Sequence, residues 1–273
     1  MGPFTSTLQH SARPALGPLP VWAVTSLIAH PVQDLLHRRL TTEPGVFLFW
    51  GAWGSGKHHY MLHTAREMRE TSLNHDVHWV RSTWRLTGEE NFLSWLAKQV
   101  LDEPEKAKNS LAFIEALPKD RAVTIFLHHS DLLFHFSDRQ YEPISHLHNL
   151  GACIKLTRRH DVNIIWSTSN PDIAKVALQH TNIQLLGPPD CSRWQEHHVK
   201  SFVDQRLKDS PHWTDEDKQL VIKLGTRVGA VACISHWLYT DPKRLAQLEP
   251  YIEKLESRWH ALDAIAPVSH SSF

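Results

Sequence analysis

The sequence predicts an α/β fold: a five-stranded, mostly parallel sheet with helices on both faces, followed by a small all-α lid. Three observations point to it. Short apolar runs rich in β-branched and aromatic residues alternate with helical stretches of about 10–15 residues, the pattern of βαβ units. The first of these runs opens into a glycine-rich turn that leads straight into a helical stretch. After Pro189 the strand-like runs stop and only helical periodicity remains.

Residues 1–30 read as a flexible N-terminal tail. The first 20 hold Pro3, Pro14, Pro18 and Pro20, scattered Ser and Thr, and no acid, a composition with little to bury. The missing acids leave organelle targeting by residues 1–20 open, although Arg13 is the only arginine or lysine there. Met1-Gly-Pro-Phe-Thr-Ser6 fits the formal myristoylation pattern, and Pro3 beside the acceptor glycine makes chance the better explanation.

Residues 31–189 form the predicted core. Val32, Leu35, Leu36 and Leu40 share one helical face. A turn over residues 41–45 leads to a first strand, Val46–Trp50. The helix after the glycine-rich turn carries Met61, Ala65 and Met68 as its buried stripe. Val77–Arg81 reads as a second strand, and Phe92, Leu96 and Val100 mark the next helix. Ala122–Leu127 is the most strand-like run of the chain. A helix from about Pro143 to Arg159 precedes a fourth strand, Val162–Thr168, and Ile183–Leu186 is a short fifth, closed by Gly187-Pro188-Pro189. Residues 190–260 are read as the lid, with helices at Trp194–Leu207, Asp215–Leu224, Val228–Tyr239 and Pro242–Leu255, and residues 261–273 as a C-terminal tail.

Composition excludes several classes. The 29 Lys and Arg balance the 29 Asp and Glu, so no global charge indicates nucleic acid or an anionic surface. Cys153, Cys191 and Cys233 are too few and too scattered for a disulfide framework, which suits a reducing compartment. No apolar run reaches the roughly 20 residues of a membrane span. The expectation is an intracellular, cytoplasmic protein. The 11 tryptophans lack basic interleaving and read as packing and interface residues rather than a base-stacking platform.

The chemistry concentrates between Gly51 and His59. Gly51, Gly56 and Lys57 have the spacing G-x-x-x-x-G-K, with a strand before and a helix after. A phosphate needs several converging backbone N–H donors, and a glycine-rich turn at a helix N-terminus offers them without steric conflict. Gly51, Ala52, Trp53, Gly54, Ser55, Gly56, Lys57, His58 and His59 are therefore the candidate nucleotide-binding residues, with Lys57 reaching the β- and γ-phosphates as a compact charge.

Val46-Phe-Leu-Phe-Trp-Gly-Ala-Trp-Gly-Ser-Gly-Lys57 resembles the Walker A motif of P-loop NTPases. An α/β core followed by a helical lid is similar to the AAA+ and STAND branches of that superfamily, a resemblance covering roughly residues 30–255. It implies ATP as the cofactor, a sheet of order 5-1-4-3-2, and nucleotide bound between core and lid. The strand Ala122–Leu127 takes the place of Walker B. Ser169 and Asn170, after the fourth strand, resemble sensor 1 and would contact the γ-phosphate or the attacking water. Arg158 and Arg159 are finger candidates, although basic residues ending a helix more often partner its dipole. Lys243 or Arg244 would be the sensor 2 cation, and a solvated helix charge is the plainer reading of either.

Histidine changes the expectation. The Walker A hydroxyl position holds His58, and the two Walker B acids are replaced by His128 and His129. Magnesium prefers oxygen ligands and imidazole substitutes poorly, so Mg²⁺ binding and hydrolysis are both in doubt. Asp131, three residues past the strand end, is the remaining candidate catalytic acid.

Three readings follow. The favoured one is a nucleotide-binding scaffold or assembly subunit, hydrolysing slowly or not at all, with a protein partner or self-association through core or lid. The second is an active ATPase that finds other ligands and remodels a protein or nucleic-acid partner. In the third, His58 and His128 hold a softer metal such as Zn²⁺; histidine is common in this chain, so chance pairs near a site are expected. An interaction module with a relic, non-binding loop is a further alternative.

Overall fold

The first strand, β1 (Gly45–Trp50), is apolar along its whole length, so it is stable only where both faces are covered. All six of its residues are buried. The computed structural model describes residues 31–51, 56–72, 74–82, 91–128, 130–134, 141–186, 195–207, 213–227, 249–250, 252–254 and 257. Within them β1 joins β2 (His75–Arg81), β3 (Ala122–His128), β4 (Val162–Thr168) and β5 (Ile183–Leu185) in one sheet of order β2-β3-β4-β1-β5. Every pairing is parallel. This is the order 5-1-4-3-2 that the resemblance implied.

Burial follows position in the sheet. β3 and β4, like β1, lie inside and are buried over most of their length, whereas the edge strand β2, with sequence His-Asp-Val-His-Trp-Val-Arg, buries only Val77 and Val80. Strand alternation sorts the core into two layers. Phe47 and Phe49 of β1 pack with Leu36 and Leu40 of α1 (Pro31–Thr42) and with Met61, Ala65 and Met68 of α2 (Lys57–Thr71). Val46, Leu48 and Trp50 face the other way. They join a cluster with residues of α3 (Phe92–Val100), α4 (Ser110–Ala116), α5 (Glu142–Leu156) and α6 (Pro171–Leu178). Each fully buried Phe or Leu in these layers contributes about 1.5–3 kcal/mol.

The differences from the sequence expectations are local. β2 starts two residues early, at His75, where the ring Nε2 lies 2.7 Å from Thr124 Oγ1 of β3. A short 3₁₀ turn (Pro104–Lys106) and α4 lie where no helix was expected. The helix expected to run to Arg159 stops at Leu156: Thr157 caps it and Arg158 turns left-handed at φ 53°.

Beyond β5, α7 (Glu196–Leu207) and α8 (Asp215–Gly225) match two expected lid helices, and Thr214 with Asp217 forms a capping box at the start of α8. The expected helix Val228–Tyr239, the tails at 1–30 and 261–273, and the boundary at Pro188 and Pro189 lie outside the described residues. Of the expected helix Pro242–Leu255, residues 249, 250 and 252–254 are described and helical. Among the described residues no helix is long and apolar enough to cross a membrane.

Several histidines are held neutral by the fold. Burial lowers the pKa of His75 and of His78, with Asp76 opposing in both cases, and burial likewise lowers that of His146 against the pull of Glu142. The unfolded chain therefore takes up protons first as pH falls below about 6.5. Unfolded protein then binds more protons than native, so stability drops as pH falls from about 6.5 through the lowered native values, and it levels off below them. Urea midpoints measured from about pH 7.5 to about pH 5 should fall, and His75→Gln should flatten the slope.

Candidate functional site

The candidate site lies at the C-terminal ends of the strands. β1 ends at Trp50, and the Gly51 N–H donates to the Thr168 carbonyl at the end of β4 (3.4 Å). Gly56 precedes α2 with φ 86° and ψ 4°, a left-handed conformation that glycine adopts without steric cost. A Cβ there would meet Tyr60 Cε2 at 3.0 Å. The chain can thus turn sharply into the helix and leave the first N–H groups of α2 pointing out of its end. Residues 52–55, and with them Ala52, Trp53, Gly54 and Ser55, lie outside the described residues.

Lys57 is the first residue of α2 and is buried, with its Nζ donating to the Gly51 carbonyl at 2.7 Å. The ammonium therefore sits across the mouth of the turn, between its first residue and the helix end. A buried ammonium is stable only against well-placed acceptors. Lys57, Gly51 and Gly56 come together as the spacing predicts, and the arrangement suits an anion of phosphate type.

His58 and His128 also come together. His58 is the second residue of α2 and His128 the last of β3, and their ring centres are 5.4 Å apart. Trp79 of β2 completes the cluster: its ring stacks on His128 at 4.8 Å and 16°, and meets His58 edge-on at 5.5 Å. His59 lies 6.1 Å from His58. Sequence reasoning missed Trp79, because its place beside His128 depends on parallel register, with Arg81 opposite His128 and Trp79 opposite Phe126. His129 lies outside the described residues.

Among the described side chains, the two brought together here are imidazoles, whereas magnesium prefers oxygen ligands. Among the described residues no group of three or more His, Cys, Asp or Glu side chains gathers to hold a metal. Asp131 falls in a 3₁₀ turn (Ser130–Leu133) directly after β3, and its side chain lies outside the described residues. Ser130, buried, donates its Oγ to the Leu127 carbonyl and accepts the Ser167 N–H at 3.2 Å. It pins the end of β3 to the end of β4.

The sensor 1 candidates follow β4 beside the glycine turn. Asn170 caps α6, its carboxamide oxygen accepting the Asp172 N–H at 2.9 Å, and its own N–H donates to Thr168 Oγ1 at 3.0 Å. Ser169 is half-buried between them. Arg159 sits at the opposite end of β4. Its guanidinium pairs with Asp161 at 2.8 Å and donates to the carbonyls of Ile114, Leu117 and Pro118. Burial raises the Asp161 pKa, but the hydrogen bond and charge of Arg159 outweigh it and the net shift is downward. Arg159 thus ties β4 to the segment after α4, remote from the glycine turn. Lys243 and Arg244 lie outside the described residues.

No protein-family model matches the chain, and no curated protein matches it. Among solved structures it is similar to Drosophila ORC bound to DNA, at 14% identity over 88% of this chain and 60% of that one, with a TM-score of 0.48. It is also similar to Cdc6p from Pyrobaculum aerophilum, at 10% identity over 84% and 65%, TM-score 0.49. A third is the ORC2 protein of Aeropyrum pernix in ADPNP-ADP complexes, at 13% identity over 87% and 66%, TM-score 0.45. The chain thus spans 60–66% of the length of these three. At such identities and TM-scores the likenesses add nothing to what strand pairing already gives.

Proposed function

We propose that this chain is an ATP-binding P-loop domain of AAA+/STAND type that hydrolyses its nucleotide slowly or not at all, and that it acts as a nucleotide-gated scaffold or assembly subunit. The observation that carries this reading is the buried Lys57 ammonium, held 2.7 Å from the Gly51 carbonyl at the head of α2. A strand end, a left-handed glycine, a helix N-terminus and a cation converge there, and their common ligand is a phosphate chain.

His58 and His128 support the second half of the proposal. In this class of site the divalent cation neutralises the phosphates and an acid polarises the attacking water. Imidazoles at both positions weaken the hold on magnesium and remove the usual acid. Binding persists through the turn and Lys57, while turnover loses its machinery. The bound nucleotide then works as a ligand that favours one conformation, shifting the equilibrium by its difference in affinity for the two.

Calorimetric titration with ATP, in chelator and in Mg²⁺, tests this alongside a phosphate-release assay. The expected result is saturable binding that Mg²⁺ changes little, with no sustained phosphate release. Strong Mg²⁺ dependence with steady release would instead establish an active ATPase, and absence of binding under every condition would leave the turn a relic.

A further inference from the structure

We infer that His148 is a proton-sensitive latch between α5 and the turn before β5: the neutral ring accepts a hydrogen bond from the Asn182 carboxamide, and the protonated ring lets the turn go. The latch lies at the N-terminal end of β5, opposite the glycine turn, and does not depend on the nucleotide reading.

Donor and acceptor roles are the first support. Lys155 Nζ lies 3.0 Å from Asn182 Oδ1. An ammonium only donates, so it holds the carboxamide oxygen on its own side. The carboxamide nitrogen then faces His148, with Nδ2 3.5 Å from the ring Nε2. That nitrogen also only donates, so Nε2 supplies the lone pair and the ring proton belongs on Nδ1. His148 Nδ1 is buried with no hydrogen-bond partner among the described residues, so nothing there selects the opposite tautomer. A second proton would enter at Nε2 and set N–H against N–H. Turning the carboxamide round to suit the imidazolium would present its nitrogen to Lys155 instead. Either protonated arrangement forfeits one of the two bonds.

Charge is the second. The ring centres of His148 and His180 are 4.9 Å apart, Lys155 also donates to the Thr181 carbonyl at 3.5 Å, and Lys175 stands in the last turn of α6. The carboxylates of the elements packed here are engaged elsewhere. Glu142 of α5 pairs with His146, Asp172 is in the first turn of α6, and Glu115 of α4 acts on Cys153. β5 and β1 carry no titratable side chain. Burial lowers the pKa of His180, and the charge of His148 lowers it further. The two rings therefore resist carrying charge together.

Position gives the contact its consequence. β5 has three residues and forms the edge of the sheet, paired to β1. The Ile183 N–H donates to the His180 carbonyl at 3.0 Å, so the turn and the start of the strand form one unit. A Cβ on Gly151 would stand 2.3 Å from the Asn182 carbonyl oxygen, so the turn can move only away from α5. Moving outward, it draws on the first residue of the edge strand.

The test follows backbone amide exchange of the full chain by NMR, as protection relative to an unstructured peptide at the same pH, together with the ¹⁵N shifts of the histidine rings. At about pH 7.5 His148 should carry its proton on Nδ1. Protection of residues 183–185 should fall about tenfold by about pH 5.5, across the range in which imidazole titrates, while that of residues 123–127 in β3 holds. His148→Gln keeps an acceptor for Asn182 and cannot titrate, so protection should stay high at both pH values. Lys155→Met lets the carboxamide turn round, and the fall should vanish. His180→Gln should keep the fall. A proton on Nε2 at neutral pH, equal protection of β5 at both pH values, or a fall that survives His148→Gln or Lys155→Met overturns the latch. Loss of the fall in His180→Gln overturns it as well, by moving the switch to that residue. Should His148→Gln fail to fold, the ring shifts of the wild-type chain and Lys155→Met still decide.

Discussion

Lys57→Met is expected to weaken ATP binding by about 10- to 100-fold, the equivalent of losing one charge-assisted hydrogen bond to phosphate. Methionine keeps most of the buried stem and deletes only the ammonium, so the fold around α2 should persist. Lys57→Ala also removes the stem and adds a packing loss, so its effect mixes stability with affinity. Lys57→Arg is not a conservative control, because a planar fork does not fit a buried position shaped for a point charge. Calorimetry on Lys57→Met, with thermal unfolding measured on the same sample, separates the two effects. Undiminished affinity would show that the Gly51–Lys57 contact is a structural tie alone, and the phosphate reading would fail with it.

What the sequence made legible follows from how local its causes are. Short, mostly apolar runs rich in β-branched and aromatic residues suit strands covered on both faces, and β1, β3 and β4 are buried over most of their length. The spacing of Gly51, Gly56 and Lys57 needs no tertiary information, because a single turn between strand and helix brings the three together. That His58 and His128 come together was expected from the resemblance alone, once the strand carrying His128 was placed.

Features that depend on partners distant in the chain were not legible. Helix α4 has seven residues, fewer than two helical periods, so the buried Phe113 and Ile114 could not establish a pattern; its start is fixed by the Asn109 side chain accepting the Ala112 N–H. The early end of α5 belongs with it. Arg159 is drawn out of the helix by Asp161 and by carbonyls near residues 114–118, acceptors more than 40 positions away in sequence. Trp79 reads as an ordinary strand tryptophan until parallel pairing with β3 sets it against His128. The α5 end and Trp79 are set by long-range contacts, one at an element's end and one on an edge strand, whereas α4 was missed for its shortness.

Gly151→Ala is the second large effect, and its sign is the test. In an exposed helix this change stabilises by about 0.5–1 kcal/mol, because alanine has less backbone freedom to lose. Here α5 runs so close to the turn before β5 that a Cβ on Gly151 would stand 2.3 Å from the Asn182 carbonyl oxygen. Backbone cannot rotate away as a side chain can. Lys155 of the same helix holds that turn by donating to Asn182 Oδ1 at 3.0 Å. Relief would require α5 or the start of β5 to move, with the buried side chains that both carry. Overpacking of this kind costs about 1–3 kcal/mol or more, so the net expectation is destabilisation by about 1–2 kcal/mol after the helix gain is subtracted. Urea unfolding should show a lower midpoint with an unchanged slope. ATP affinity measured well below the transition should hardly change, since Gly151 meets the strand's N-terminal end and the glycine turn lies at the opposite end of the sheet. A raised midpoint would mean that α5 sits farther from Asn182 than 2.3 Å requires. A lost affinity with normal stability would mean that the two ends of the sheet are coupled through β5 and β1, which pair in register from Val46 to Leu48.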